Sequence, residues 1–145
     1  MLKAIFINPS FNHNLQMAEL KAVINDPKTG KSYQKVLENN PFINNKVKDK
    51  VNGNLIGLDN YELEIRGGSD KSGHPIRFDM PGIGKKRALL TSGPCVKVKD
   101  KGNKVRKTVV GNIINEDIVQ INLKIIKSGS LDLEAMFPKK EEAKA

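Results

Sequence analysis

Between Ile118 and Ile126 apolar and polar side chains alternate, Val119, Ile121, Leu123 and Ile125 against Gln120, Asn122 and Lys124. A period of two puts successive side chains on opposite faces of an extended chain, so this stretch is a strand with one apolar face that needs a sheet and a core to cover it. Burial of each of its four apolar side chains is worth roughly 1.5–3 kcal/mol, enough to make this strand the anchor of a sheet. Shorter runs fit the same scheme: Leu20–Ile24, Ser32–Leu37, Tyr61–Ile65, Arg87–Leu90, Val96–Val98 and Lys107–Ile114. Turn residues separate them, among them Asp26-Pro27-Lys28-Thr29-Gly30, Gly93-Pro94, Gly102-Asn103 and Asn115-Glu116-Asp117. The first turn joins its two strands as a hairpin.

One helix is expected to interrupt the strands. Asn40 can cap it, Pro41 can open it, and Ile43, Val47 and Val51 recur every four residues before Gly53 closes it. Lys46, Lys48 and Lys50 would lie on its solvated side, with RNA contact as the alternative. A second, short helix is expected from Ser130 through Met136, with Asp132 and Glu134 near its positive N-terminus and Pro138 as its stop. Many short strands with one or two short helices predict a mostly β domain, a small antiparallel β-barrel or a strongly curled sheet. A chain of 145 residues suits one such domain.

Charge narrows the choice of partner. Lys and Arg number 25 against 16 Asp and Glu, a formal net charge of +9, which favours a polyanion. Nine of the cations, Lys85, Lys86, Arg87, Lys97, Lys99, Lys101, Lys104, Arg106 and Lys107, fall between positions 85 and 107, where Asp100 is the one acid. Uniform solvation does not produce such clustering. With two Tyr and five Phe, none among these cations, recognition should rest on phosphate geometry and RNA shape more than on base stacking.

Several chemistries are disfavoured. The single cysteine, Cys95, gives neither an internal disulfide nor a thiolate metal cluster and suits a reducing compartment, and His13 and His74 are far apart. No apolar stretch reaches 18 residues, and Leu2–Ile7 is short for a secretion signal, so a cytoplasmic location is expected. Gly82-Ile83-Gly84-Lys85-Lys86 is not a phosphate loop, because position 79 is Asp and position 86 is Lys where that motif needs Gly and Ser or Thr. Gly67-Gly68-Ser69 likewise lacks the dinucleotide fingerprint.

The remaining feature is the stretch from Ile65 to Ile76, in which Gly67, Gly68, Asp70, Lys71, Gly73 and Pro75 stand in order. Gly67 and Gly68 permit positive φ or close backbone approach, and Asp70 can accept bonds from nearby N–H groups. An Asp70–His74 acid–base pair is the enzymatic alternative, but no second carboxylate cluster accompanies it, and no catalytic activity is expected.

This stretch resembles the signature of the archaeal and eukaryotic small-subunit ribosomal protein six family, roughly Gly-Gly-x-Asp-Lys-x-Gly-Phe-Pro-Met. His74 and Ile76 depart from it, replacing Phe and Met. Arg87-Ala88-Leu89-Leu90, Arg106-Lys107-Thr108-Val109, Gly111-Asn112 and Asp117–Leu123 also look like this family in order and spacing, as do Met17–Lys21 and Asp26–Ser32. Another departure is Val110, where members usually carry Arg before the glycine. The resemblance covers about residues 17–136 and lies closer to archaeal members.

It implies a β-barrel domain over residues 17–137, with 1–16 as an N-terminal extension and 138–145 as a tail; an added strand over Leu2–Ile7 is the other reading of the first segment. It also implies a structural constituent of the small ribosomal subunit, with small-subunit rRNA and neighbouring ribosomal proteins as partners. The nine clustered cations would meet rRNA phosphates. The backbone at Gly67 and Gly68 would fit against sugar-phosphate or protein. No cofactor, small-molecule substrate, membrane or homo-oligomer is expected, nor the phosphorylation switch of the eukaryotic C-terminal extension. A free RNA-binding barrel acting in translation or RNA processing is the alternative.

Overall fold

A computed structural model describes residues 19–98, 102–129 and 133–137. The expectations for residues 1–16, for Ser130 and Asp132 and for the tail from 138 lie outside them, as do Lys99 and Lys101. Strands β1 (Leu20–Asn25), β2 (Ser32–Leu37), β3 (Lys50–Asn52), β4 (Glu62–Asp70) and β7 (Ile118–Lys127) form one sheet in the order β2-β1-β7-β4-β3. Strands β5 (Lys85–Leu90) and β6 (Val105–Val110) form a second, two-stranded sheet. A single helical turn, α1 (Leu133–Met136), follows.

The alternating stretch is the middle strand of the larger sheet, antiparallel to β4 and parallel to β1. The sheet is therefore mixed, and no ladder among the described strands closes it into a barrel. Register lines the apolar side chains in rows: Ile24, Leu123 and Ile65 stand abreast, as do Ala22 and Ile121, all fully buried. The opposite face carries Asn122, Lys124, Glu64 and Lys50. One detail departs from strict alternation. Between the pairs Ser69–Gln120 and Asp70–Ile118 the register shifts, leaving Val119 unpaired and half-buried, while Ile118 enters the core.

The expected helix from Asn40 to Gly53 does not form. Asn44 and Lys48 take left-handed conformations (φ 69° and 80°) that interrupt any helix. The backbone bonds distant segments: Asn44 N–H donates to Ile114, Val47 to Asn112 and Lys48 to Ile65, at 2.7–3.0 Å. Those tertiary bonds replace the i to i−4 ladder. Asn40 does act as a cap, but of a turn, accepting the Phe42 N–H at 3.0 Å. Val47 and Val51 are buried as expected, whereas Ile43 is 40% exposed and the neighbouring Phe42 fills the core in its place. Gly53 opens a short 3-10 turn (Gly53–Ile56) capped by Gly57 at φ 74°.

Strand limits in the second half also differ from those expected. Val96–Val98 is not a strand; Gly93 (φ 124°) and Cys95 (φ 59°) turn the chain there, and Val96 N–H closes on the Gly93 carbonyl. The six-residue ladder of β6 is made with β5 instead, so residues 91–104 connect the two. Beyond Val110 the chain leaves the strand because Gly111 presses against the neighbouring loop: a Cβ there would stand 1.9 Å from the Gly82 carbonyl oxygen. Val110 itself is buried, so the residue that departs from the family pattern is a core side chain here.

Candidate nucleic-acid interface

The signature stretch is the end of β4 and the turn after it. Between Ile65–Leu123 and Gly67–Asn122 the register shifts by one residue at Arg66, and Gly67 takes φ 155°. This bulge draws β4 against β7 so closely that a Cβ on Gly68 would lie 2.1 Å from the Gln120 carbonyl oxygen. The backbone approach expected at Gly68 is thus made to the protein's own middle strand. Gly67 has open space beside it.

Asp70 ends the strand and organises the turn. Its Oδ1 accepts the N–H groups of Ser72 (2.8 Å) and His74 (2.9 Å), and its own N–H donates to the His74 carbonyl (3.1 Å). Gly73 completes the turn at φ 79° with its N–H on the Asp70 carbonyl. Lys71 ties the turn sideways to Asp117, by N–H to carbonyl at 3.0 Å and by ammonium to carboxylate at 2.5 Å. That ammonium holds the Asp117 carboxyl below the ordinary aspartate range. Pro75 bridges Ser69 and gives its carbonyl to Val110 N–H, and Ile76 bridges Val110. The turn is therefore the joint between the two sheets.

Asp70 is 4% exposed. Burial pushes its carboxyl up, but the His74 N–H, the Lys85 ammonium and the Ser72 N–H outweigh it, and the net shift is downward. Lys85 Nζ lies 3.2 Å from Oδ2 and bonds Ser72 Oγ at 2.7 Å. Its better-directed bond goes to the hydroxyl, so Oδ2 is neutralised by charge rather than by a well-aimed hydrogen bond.

The expected phosphate ligands divide accordingly. Lys85 is engaged with the signature turn, and Lys86 donates to the Pro81 carbonyl. Arg87, Lys97, Lys104, Arg106 and Lys107 are exposed and form no ion pair with a described residue. Cross-strand register sorts the hairpin's cations: Lys85, Arg87 and Arg106 leave one face of the β5–β6 ribbon, Lys86 and Lys107 the other. At its base Val109 and Val110 are buried, while Leu89 further along is 55% exposed. The ribbon is rooted at one end and extends cations on both faces.

Two features were missed from sequence. Arg77 chelates Asp79 through two bonds of 2.7 and 2.8 Å and reaches the Ser92 carbonyl, bracing the 91–104 connection. A spacing of two places residues on the same side of an extended chain and could have suggested it. The Lys48 ammonium sits 3.9 Å from the centre of the Phe78 ring, which depends on the left-handed turn at Lys48 and has no local signal. Among the described residues no group of three His, Cys, Asp or Glu could hold a metal, and no helix is long and apolar enough to cross a membrane.

Comparison with known sequences covers the signature turn and the basic ribbon alike. The family model described as ribosomal protein S6e matches residues 20–138. A small ribosomal subunit protein eS6 of Archaeoglobus fulgidus is 44% identical over 128 residues, covering 86% of this chain and 99% of that protein. Its counterpart in Methanocaldococcus jannaschii is 48% identical over 121 residues, or 83% and 92% of the two chains. Since both the family model and relatives of this identity span most of its length, the chain belongs to the ribosomal protein S6e family.

Proposed function

We propose that this protein is a structural, non-catalytic constituent of the small subunit of cytoplasmic ribosomes, placed among rRNA and neighbouring ribosomal proteins. Its relatives carry the name of small ribosomal subunit proteins. The observation that carries the RNA-binding reading is the β5–β6 ribbon with its connection, where Arg87, Lys97, Lys104, Arg106 and Lys107 stand exposed without carboxylate partners among the described residues. Each cation that meets a phosphate releases a condensed counterion, so affinity would come largely from charge and fall with salt. The signature turn acts from behind, fixing the ribbon to the sheet through Lys85, Pro75 and Ile76. Those bridges also support reading the two sheets as parts of one curled, barrel-like body.

Sedimentation of tagged protein with small subunits tests this assignment. Stable association that survives low salt and weakens steeply as salt rises is expected. A protein that stays in the soluble fraction at all salt concentrations would point to a free RNA-binding factor instead.

A further inference from the structure

Strand β6 is laddered to β5 along one edge, and along the other it is bridged only at its end, by Ile76 to Val110. Val110 turns its N–H and C=O away from β5, to the Pro75 carbonyl (2.9 Å) and the Arg77 N–H (3.0 Å). Alternation along a strand aims the backbone groups of Thr108 and Arg106 in the same direction. No described residue bonds them there. This open edge faces a cleft of about 320 Å³ whose other walls are Gly73, His74, Pro75, Pro94 and Cys95. Arg106 and Lys107 both line it, and since neighbouring residues leave a strand on opposite faces, one cation stands on either side of the edge. No carboxylate is among its described lining residues.

We propose that this cleft takes one unpaired nucleotide of the small-subunit rRNA, its phosphate held by Arg106 and Lys107 and its base against His74 and Pro75. The proposal rests on the RNA-binding reading above and adds to it a seat of nucleotide size. The volume is at the small end of the roughly 300–1,000 Å³ of ligand pockets, room for one nucleotide but not for a paired stem. Thr108 supplies what a base edge needs, a backbone N–H, a backbone C=O and a hydroxyl, in place of the pairing partner that an extruded base has lost. His74 is already in position, since its N–H and carbonyl are both bonded to Asp70. An open strand edge also suits an added peptide strand. Cations on both sides, with no acid among the described lining residues, favour the polyanion.

Cys95 is the only cysteine of the chain, it is exposed, and it lines the cleft, so its alkylation reports occupancy. The rate of reaction with N-ethylmaleimide should be measured for the full chain alone, with small-subunit rRNA, and with fully paired duplex RNA of equal length, with binding verified by sedimentation. Saturating rRNA should slow alkylation about 10-fold, as occupancy of some nine-tenths of the molecules implies, and the duplex should leave it unchanged. His74→Ala should weaken rRNA binding about 5-fold or more, the low end for base–ring stacking, without altering the salt slope.

Unchanged alkylation in protein that cosediments with rRNA would overturn the proposal while leaving the phosphate contacts intact. Equal protection by the duplex would do the same, and so would parental affinity in His74→Ala. Protection that appears only in complete subunits, and not with rRNA alone, would assign the edge to a neighbouring protein strand. Failure to bind rRNA at all would remove the RNA-binding reading itself and the nucleotide seat with it.

Discussion

The ammonium of Lys85, the first residue of β5, lies 3.2 Å from the buried carboxylate of Asp70, the last residue of β4, and so joins the two sheets by charge. Lys85, expected among the phosphate ligands, is thus engaged within the fold. We predict that Lys85→Gln lowers stability by about 1 kcal/mol, a modest value because its side chain is 40% exposed and solvent screens the pair. The salt slope of RNA binding should stay at the parental value. A slope flattened by about one unit, measured by filter binding across a salt series, would return Lys85 to the RNA surface.

Asp70 should matter more than its partner. Asp70→Ala removes the acceptor for two backbone N–H groups at once. Hydrogen bonds to charged groups contribute about 1.5–3 kcal/mol each, and the two share one carboxylate, so a loss of about 2–4 kcal/mol is expected in urea denaturation. Asp70→Asn retains an oxygen for those bonds but not the charge opposite Lys85, and should fall between parent and Ala. If Asn were as damaging as Ala, charge rather than turn geometry would be the main contribution.

The same carboxylate sets an acid limit. Its folded pKa is depressed below the ordinary 3.8, so the unfolded chain takes up the proton first as pH falls. The stability it contributes is complete above the unfolded value and is lost as pH drops through the folded one. Asp26, Asp79 and Asp117 shift in the same direction, so part of the slope belongs to them. Denaturation between pH 6 and pH 2 should show Asp70→Asn diverging from the parent above about pH 5 and converging on it in acid. A constant gap across that range would show that the carboxyl titrates alike in the folded and the unfolded chain.

Gly68 supplies a test of the bulge. An added methyl group would collide with the Gln120 carbonyl oxygen at 2.1 Å, and that oxygen belongs to the central strand, which cannot yield without moving its neighbours. Gly68→Ala is expected to cost about 1–3 kcal/mol as overpacking, and Gly68→Val more. A midpoint of thermal unfolding equal to the parent's would mean that β4 and β7 can separate locally at no cost.

These positions show what could be read from sequence and what could not. β2 has the expected limits, Ser32–Leu37, and β1 extends only one residue beyond Leu20–Ile24, because turn residues bound strands that alternate. The helix at 41–53 failed for the converse reason. Its apolar residues recur at intervals of four, yet Val47 N–H and Lys48 N–H bond Asn112 and Ile65, partners too far along the chain for any local pattern to reveal. Within the basic cluster, sequence identified the charges but not their occupation. Lys85 and Arg87 are two residues apart on one face, and only the fold shows that one meets Asp70 while the other meets solvent. The cleft beside β6 was hidden for the same reason, since His74, Cys95 and Thr108 come from three separate segments.

The exposed cations should act on RNA and not on the fold. Arg87, Lys104 and Arg106 have no carboxylate partner among the described residues, and Arg87 and Arg106 share one face of the ribbon, where they repel each other when unbound. Replacing all three by Gln should leave unfolding within about ±0.5 kcal/mol of the parent, as for surface positions without special contacts. RNA affinity should fall at low salt, and the slope of log affinity against log salt should flatten by roughly two to three units if all three meet phosphates. Lys97 and Lys107 remain in this variant and should preserve a residual slope. A merely solvated ribbon predicts an unchanged slope with unchanged stability. That result would move the phosphate contacts away from β5 and β6 and leave Lys46, which bridges Ile113, and Lys50, the first residue of β3, as the cations to test next.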